Sequence, residues 1–153
     1  MPDLAIIRSE SREGPWARLG ASVVAAACLA LVVIAGRLQP TAAGHGTHTQ
    51  LGLPECGFAM AFNKPCFTCG MTTAFAHAAS GRLDRAFMTQ PAGTVLALGA
   101  ATVFWIGLHT AVTGSRAAPA MIAGVNARHA FGLVGLILVG WVWLLVRFDR
   151  GGV

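Results

Sequence analysis

The chain has 153 residues, of which 55% are hydrophobic and only 11% are charged. Soluble domains typically carry about 25% charged residues, so this composition excludes an ordinary soluble protein and favours an integral membrane protein. The net charge of +5 comes from 11 Lys and Arg residues scattered along the chain. Because they form no basic cluster, nucleic-acid binding is not expected, and the expected partner is the lipid bilayer. No protein partner is indicated.

Three apolar stretches are each close to the roughly 20 residues that a helix needs to cross a bilayer. They predict an all-α fold with transmembrane helices at 17–36, 92–113 and 128–146. The third stretch is bracketed by Arg128 and Arg147, whose long side chains can reach the two membrane interfaces. The other segments are a polar N-terminal tail (1–16), a connection (37–91) and a C-terminal tail (147–153).

The first span also has features of a signal peptide, namely a basic leader and an Ala-rich end. Its apolar run exceeds the usual 7–15 residues of a signal peptide, so we favour a retained helix. Three spans place five of the 11 basic residues on one side of the membrane and six on the other. The positive-inside rule therefore discriminates little. The flanks of the first span favour a cytoplasmic N-terminus, which would put the connection outside.

The connection between the first two spans is far longer than most loops, which is typical of a functional or structured segment. Its beginning, 39–50, is rich in Pro, Gly, Thr and His and is expected to be flexible. Apolar residues recur at helical spacing over 70–80 and predict a short amphipathic helix at the membrane surface. Gly81 is well placed to end this helix, and Pro91 fits the first turn of the second span.

Three of the four cysteines lie in this connection. Cys66 and Cys69 form a Cys-x-x-Cys-Gly sequence with Gly70, and Cys56 lies ten residues before Cys66. Two thiolates three residues apart on a tight turn can hold one ion, and Gly70 allows the backbone to turn closely after the second. The spacing therefore predicts a structural metal site, with zinc as the metal and otherwise no cofactor.

A tetrahedral zinc site needs a fourth ligand. His45 and His48, before Cys56, are the candidates, although a solvated loop also accounts for both of them. His77 is two helical turns beyond Cys69, about 12 Å along the axis of a continuous helix, which is too far to bind the same ion.

Two alternatives stay open from the residues alone. Cys66 and Cys69 precede a predicted helix N-terminus, which would stabilise a thiolate, so thiol–disulfide redox chemistry or a disulfide involving Cys56 is the first. A structural turn in an accessory or scaffold subunit without chemistry of its own is the second. Cys28, in the middle of the first span, fits a packing residue. No catalytic residue is predicted, because the six acidic residues form no pair and none lies in a span.

A family resemblance is carried by Cys56, the runs 65–74 and 81–87, and the pair Gln90-Pro91 before an apolar helix. These residues resemble a group of small bacterial membrane proteins known only as domain of unknown function 2752, with the signature Cys-Pro-x-Cys-Gly-x-Thr-Arg-Ala. The resemblance covers roughly residues 54 to 110 and implies a bacterial inner (plasma) membrane location. It implies no reaction.

The chain departs from the family pattern at three positions. Phe67 stands where the family commonly has proline, Thr73 where it commonly has arginine, and Gln90 where asparagine is frequent. A family role that needs a guanidinium beside the thiols would be lost or altered here.

Glycines in the last two spans are expected to allow close helix approach. They are Gly93, Gly99 and Gly107 in the second span and Gly132, Gly135 and Gly140 in the third.

Overall fold

A computed structural model describes residues 13–62 and 64–149, with side chains to residue 146. Within these residues the chain forms seven α-helices, one 3-10 helix and no strand. The helices are α1 (Pro15–Arg37), the 3-10 helix (Thr47–Leu51), α2 (Gly57–Phe62), α3 (Met71–Ala79), α4 (Leu83–Thr89), α5 (Pro91–Thr113), α6 (Ala117–Gly124) and α7 (Ala127–Asp149). Most of the predicted N-terminal tail, and the end of the C-terminal tail, lie outside the described residues.

Three helices are long and apolar enough to cross a membrane, namely α1, α5 and α7. This confirms the prediction of an all-α membrane protein with three spans. Each contains 23 residues, which corresponds to about 35 Å and exceeds the roughly 30 Å of a bilayer core. Proline begins both α1 and α5, where its missing N–H costs nothing, so the position predicted for Pro91 is confirmed.

The spans α1 and α5 pack closely against each other. Gly107 of α5 faces α1, and a Cβ atom built on it would lie 3.0 Å from the Ala21 carbonyl oxygen and 3.2 Å from Ala25 Cβ. Both alanines are buried. Small residues on the two helices therefore bring their backbones together, which strengthens dispersion contacts where no hydrophobic effect acts between helices.

Hydrogen bonds join α1 and α5 at the end where α1 begins and α5 stops. The backbone N–H of Glu13 donates to the Gly114 carbonyl at 2.8 Å, and Arg18 Nε donates to the Ala111 carbonyl at 3.0 Å. The exposed Arg116 forms a 3.1 Å ion pair with Glu13. These bonds satisfy carbonyls that the last turn of α5 would otherwise leave unpaired.

The expected role of the other glycines is only partly correct. Gly99, Gly132 and Gly135 have no atom within 4 Å of a built Cβ, so they mediate no close approach within the described part of the chain. Gly93 does, but its neighbour is α3 rather than a second span. Spacing on one helix does not reveal which face its neighbours cover, and that explains the difference.

Helix α3 lies against α1, α4 and α5. Ala74 and Ala76 are fully buried, and a Cβ on Gly93 would come within 3.0 Å of Ala74 Cβ. Gly81, at φ 75°, ends the helix as predicted, since the N–H of Arg82 folds back to the His77 carbonyl at 2.9 Å. The packing of α3 is thus defined, and its position at the membrane surface stays a prediction.

The segment 39–50, expected to be flexible, folds back on itself through hydrogen bonds. Gln50 accepts from the Gln39 N–H at 3.0 Å and donates to the Gln39 carbonyl at 2.7 Å. Thr47 is fully buried, and its hydroxyl oxygen lies 2.8 Å from that of Thr73 on α3. A hydrogen bond between residues 26 positions apart cannot be inferred from local composition. The flexibility expected for 39–50 was therefore an incomplete prediction.

The close contact at Gly107 can be tested by adding a side chain. Gly107→Val would overpack the α1–α5 interface and is expected to lower the free energy of unfolding by about 2 kcal/mol. Gly99→Val makes the same chemical change in the same helix where no neighbour lies within 4 Å, and it should have little effect. Thermal or denaturant unfolding of both variants in detergent measures the difference. Equal stability of the two variants would contradict the interface.

Candidate metal centre

The thiols of Cys56, Cys66 and Cys69 form a cluster in which all three Sγ atoms lie within 4.8 Å of one another. Thiolates bound to one zinc at 2.3 Å in tetrahedral geometry lie about 3.8 Å apart. The Sγ atoms of Cys66 and Cys69 are 3.3 Å apart. We name these three residues the thiol cluster, and its dimensions fit one metal ion after small side-chain rotations.

A tight turn holds two members of the cluster. The N–H of Cys69 donates to the Cys66 carbonyl at 3.0 Å, and α3 begins two residues later. Gly70 has φ 80°, and a Cβ there would lie 2.9 Å from the Gly44 carbonyl oxygen. Only glycine fits this position without strain, which confirms the role expected from the sequence. Cys56 directly precedes α2 and accepts a backbone bond from Met60 at 3.0 Å.

Two contacts that the sequence did not indicate fix the turn to the spans. Trp141 of α7 donates its Nε1–H to the Pro65 carbonyl at 3.1 Å, and Gln90 donates its side-chain amide to the Phe67 carbonyl at 3.3 Å. Gln90 is fully buried. The cysteine turn is therefore held from the start of α5 and from α7, and is not a free surface loop.

The environment separates the acidities of Cys66 and Cys69. Burial alone would raise the pKa of Cys66, but hydrogen bonds from Thr68, Cys69 and Cys56 outweigh it and lower the pKa to about 7. Burial and the neighbouring Cys66 raise the pKa of Cys69 to about 12. Cys66 thus ionises first, and its thiolate is stabilised by the Thr68 hydroxyl, 3.2 Å from its sulfur.

The structure places both candidate histidines near the thiol cluster but not within it. His45 and His48 line one cavity of about 420 Å³ together with Cys56 and Cys69. Each ring has one nitrogen beside a carbonyl oxygen, at 2.8 Å from Ala43 for His45 Nδ1 and 3.2 Å from Pro54 for His48 Nε2. The second nitrogen of each ring is left for another ligand, as in metal-binding histidines that donate one N–H to a carbonyl.

A second cavity, of about 460 Å³, has all three thiols of the cluster in its wall. Its wall includes Leu31 and Ile34 of α1 and Phe75 of α3, so it is mainly apolar. His48 lines this cavity too, whereas His45 does not. An apolar wall limits the access of water to the sulfurs.

The remaining residues that the sequence singled out lie elsewhere. Cys28 is half-buried in α1, and no disulfide joins the four cysteines. His77 lines a different cavity from the thiols, in agreement with its exclusion as a ligand. Thr73, at the position where the family resemblance has arginine, is buried and bonded to Thr47.

Comparison with known proteins gives one match. The sequence model of a family described as "Protein of unknown function (DUF2752)" matches residues 56–104, which are 49 of the 153 residues, and confirms the family resemblance. Comparison with curated proteins and with solved structures gives no match. The matched region contains the thiol cluster, α3 and the first part of α5.

The hydrogen bond from Thr68 should set the reactivity of Cys66. In metal-free protein, alkylation of Cys66 by iodoacetamide is expected to rise with pH through a midpoint near 7, because only the thiolate reacts. Thr68→Val removes a hydrogen bond to the thiolate, which should raise the pKa and slow alkylation at neutral pH about tenfold.

Peptide mapping by mass spectrometry separates Cys66 from the other thiols. Thr72→Val, which leaves the Thr68 hydroxyl in place, is the matched control and should not move the midpoint. An unchanged midpoint in the Thr68 variant would show that this hydroxyl does not stabilise the thiolate.

Proposed function

We propose that this membrane protein binds one structural zinc ion through Cys56, Cys66 and Cys69. The observation that carries the proposal is the convergence of three thiols within 4.8 Å from two separate parts of the connection. Thiolate is the protein ligand that zinc prefers in structural sites. The metal would link the segment before α2 to the turn before α3. It would thereby stabilise this part of the connection, where α2 has no buried side chain to hold it in place.

His48 is the preferred fourth ligand. It lines both cavities that contain Cys56 and Cys69, whereas His45 lines one of them and also extends to a separate cavity. The contact of His48 Nε2 with the Pro54 carbonyl orients the ring beside Cys56 and leaves Nδ1 for the metal. Completing the site requires the 3-10 helix to bring the His48 ring onto the three thiols.

Thiol redox chemistry is the second candidate, and the unequal acidities of Cys66 and Cys69 favour it. A Cys66 thiolate could attack a disulfide of a partner protein and form a mixed disulfide. Cys69 would then attack Cys66, release the partner as a dithiol and give its proton to the leaving sulfur. This pathway requires free access to Cys66 and an unoccupied cluster, so it excludes a permanently bound metal.

Metal stoichiometry separates the two functions. Protein purified in detergent without chelator is expected to contain about one zinc per chain, and Cys56→Ser, Cys66→Ser and Cys69→Ser should each lose most of it. Cys28→Ser is the matched control and should retain the metal. His48→Ala is expected to weaken zinc binding by 10-fold or more, and His45→Ala should not.

The same preparations give the opposing result if the redox function holds. Wild-type protein would then contain no metal, and thiol counting before and after reduction would show a Cys66–Cys69 disulfide. About one zinc per chain in Cys56→Ser, Cys66→Ser and Cys69→Ser would also reject the metal site.

We also propose that the protein lies in a bacterial inner membrane with the thiol cluster on the outer face. The support is the flank of the first span alone, with Arg18 at the start of α1, because the first helix usually dominates orientation. The count of five basic residues against six over the whole chain does not discriminate. In intact spheroplasts stripped of metal, a membrane-impermeant maleimide is expected to label Cys66. Labelling only after lysis would place the cluster in the cytoplasm.

A further inference from the structure

A third cavity, of about 450 Å³, lies apart from the thiol cluster and has no assigned role. Its walls come from the segment 40–45, from Pro65, from His77 of α3, from the segment 82–89 that includes α4, and from Leu144 of α7. None of the three clustered cysteines lines it. It lies at the end of the bundle where α5 begins, which is the level at which lipid headgroups meet a spanning helix.

One buried side chain in this cavity lacks a partner. His77 is only 9% exposed, and its Nδ1 atom is buried without a hydrogen-bond partner among the described residues. Leaving a buried polar atom unpaired costs about 1–3 kcal/mol, and such atoms are uncommon in native proteins. The His77 ring lines the cavity, while Nδ1 itself is turned away from its accessible space.

The charge of the cavity wall defines what it can bind. Arg82, directly before α4, and Arg85, within it, line the cavity. Both are exposed, and neither forms an ion pair with a carboxylate in the part of the chain described. No acidic residue is among the lining residues. Two guanidinium groups and an imidazole around one cavity match the oxygens of a tetrahedral oxyanion, to which arginine can donate two parallel hydrogen bonds.

The acidity of His77 agrees with an anion site. Burial lowers the pKa of His77, the charges of Arg82 and Arg85 lower it further, and Asp84 opposes them. His45 lines the cavity as well. An anion between the arginines and the imidazole would offset both the desolvation and the repulsion.

We propose that the cavity lined by His77, Arg82 and Arg85 binds a phosphate group, supplied by a phospholipid headgroup or by a free phosphate. The two guanidinium groups donate to the phosphate oxygens, and the His77 ring lies in the same cavity wall. The site shares no thiol with the metal site and needs no ion in the cluster, and His45 is the residue that lines both this cavity and one containing Cys56 and Cys69.

Binding is measured by calorimetry on the full chain in detergent, at an ionic strength fixed with chloride. Inorganic phosphate and a soluble short-chain phosphatidic acid are titrated separately. Saturation by either probe supports the site, and the probe that saturates identifies the source. If neither saturates, the proposal is wrong.

Exposed arginines allow variants that keep the fold. Arg82→Gln and Arg85→Gln are each expected to weaken binding about tenfold, as expected for the loss of one charged hydrogen bond, and the double variant about 100-fold. Arg37→Gln is the matched control, because Arg37 is exposed at the same end of the bundle and does not line the cavity. If Arg37→Gln weakened binding of the probe as much as the double variant does, net charge would explain the effect and the site would be rejected.

A nitrogen NMR titration of the His77 ring gives a readout that a purely structural role would not move. A bound phosphate stabilises the protonated ring, so the pKa of His77 should rise when the probe is added. The Arg82 and Arg85 charges, Asp84 beside them and His45 in the cavity wall are present in both states, so they cancel in the comparison. An unchanged pKa at saturation would place the anion elsewhere.

Discussion

The contact between α3 and the first turn of α5 is the constraint on which the cysteine region depends. Ala74 has no exposed surface, and Gly93 leaves just enough room for it. Because Gly93 has no side chain, α3 lies directly against a spanning helix. Cys69 and Gly70 come immediately before α3, so their positions follow from this contact. The turn that carries Cys66 and Cys69 is therefore positioned by the spanning helices.

Polar side chains complete what this apolar contact begins. Thr47 and Thr73 satisfy each other in a fully buried pair, and Gln90, also fully buried, binds the Phe67 carbonyl. Buried polar atoms have no water to replace a lost partner, so each of these bonds costs more to break than it would at a surface. The connection is consequently an ordered part of the bundle end, although it exposes large apolar side chains in α2, in α4 and in the segments between helices.

The parts of the fold that sequence predicted are those written in local patterns. Spans show as long apolar runs, helix ends show at Gly81 and Pro91, and the turn shows in the Cys-x-x-Cys-Gly order. The clustering of Cys56 with Cys66 and Cys69 was also expected from their proximity in the sequence. The burial of His77 and the support from Trp141 were not predictable in this way. Each depends on contacts between distant segments. Residue type indicates which kind of partner is preferred, but not where along the chain that partner lies.

The position of the thiols along the chain has a consequence for how the protein is made. All three lie within 14 residues, and they leave the ribosome before α5, the helix against which their turn is locked. At about 5–20 residues per second, the last residue of α5 follows Cys69 by about 2–9 s. During that interval the cysteines belong to an unanchored segment and are open to metal, oxidant or partner thiols. The thiols are thus accessible to these reagents before their turn packs against α5.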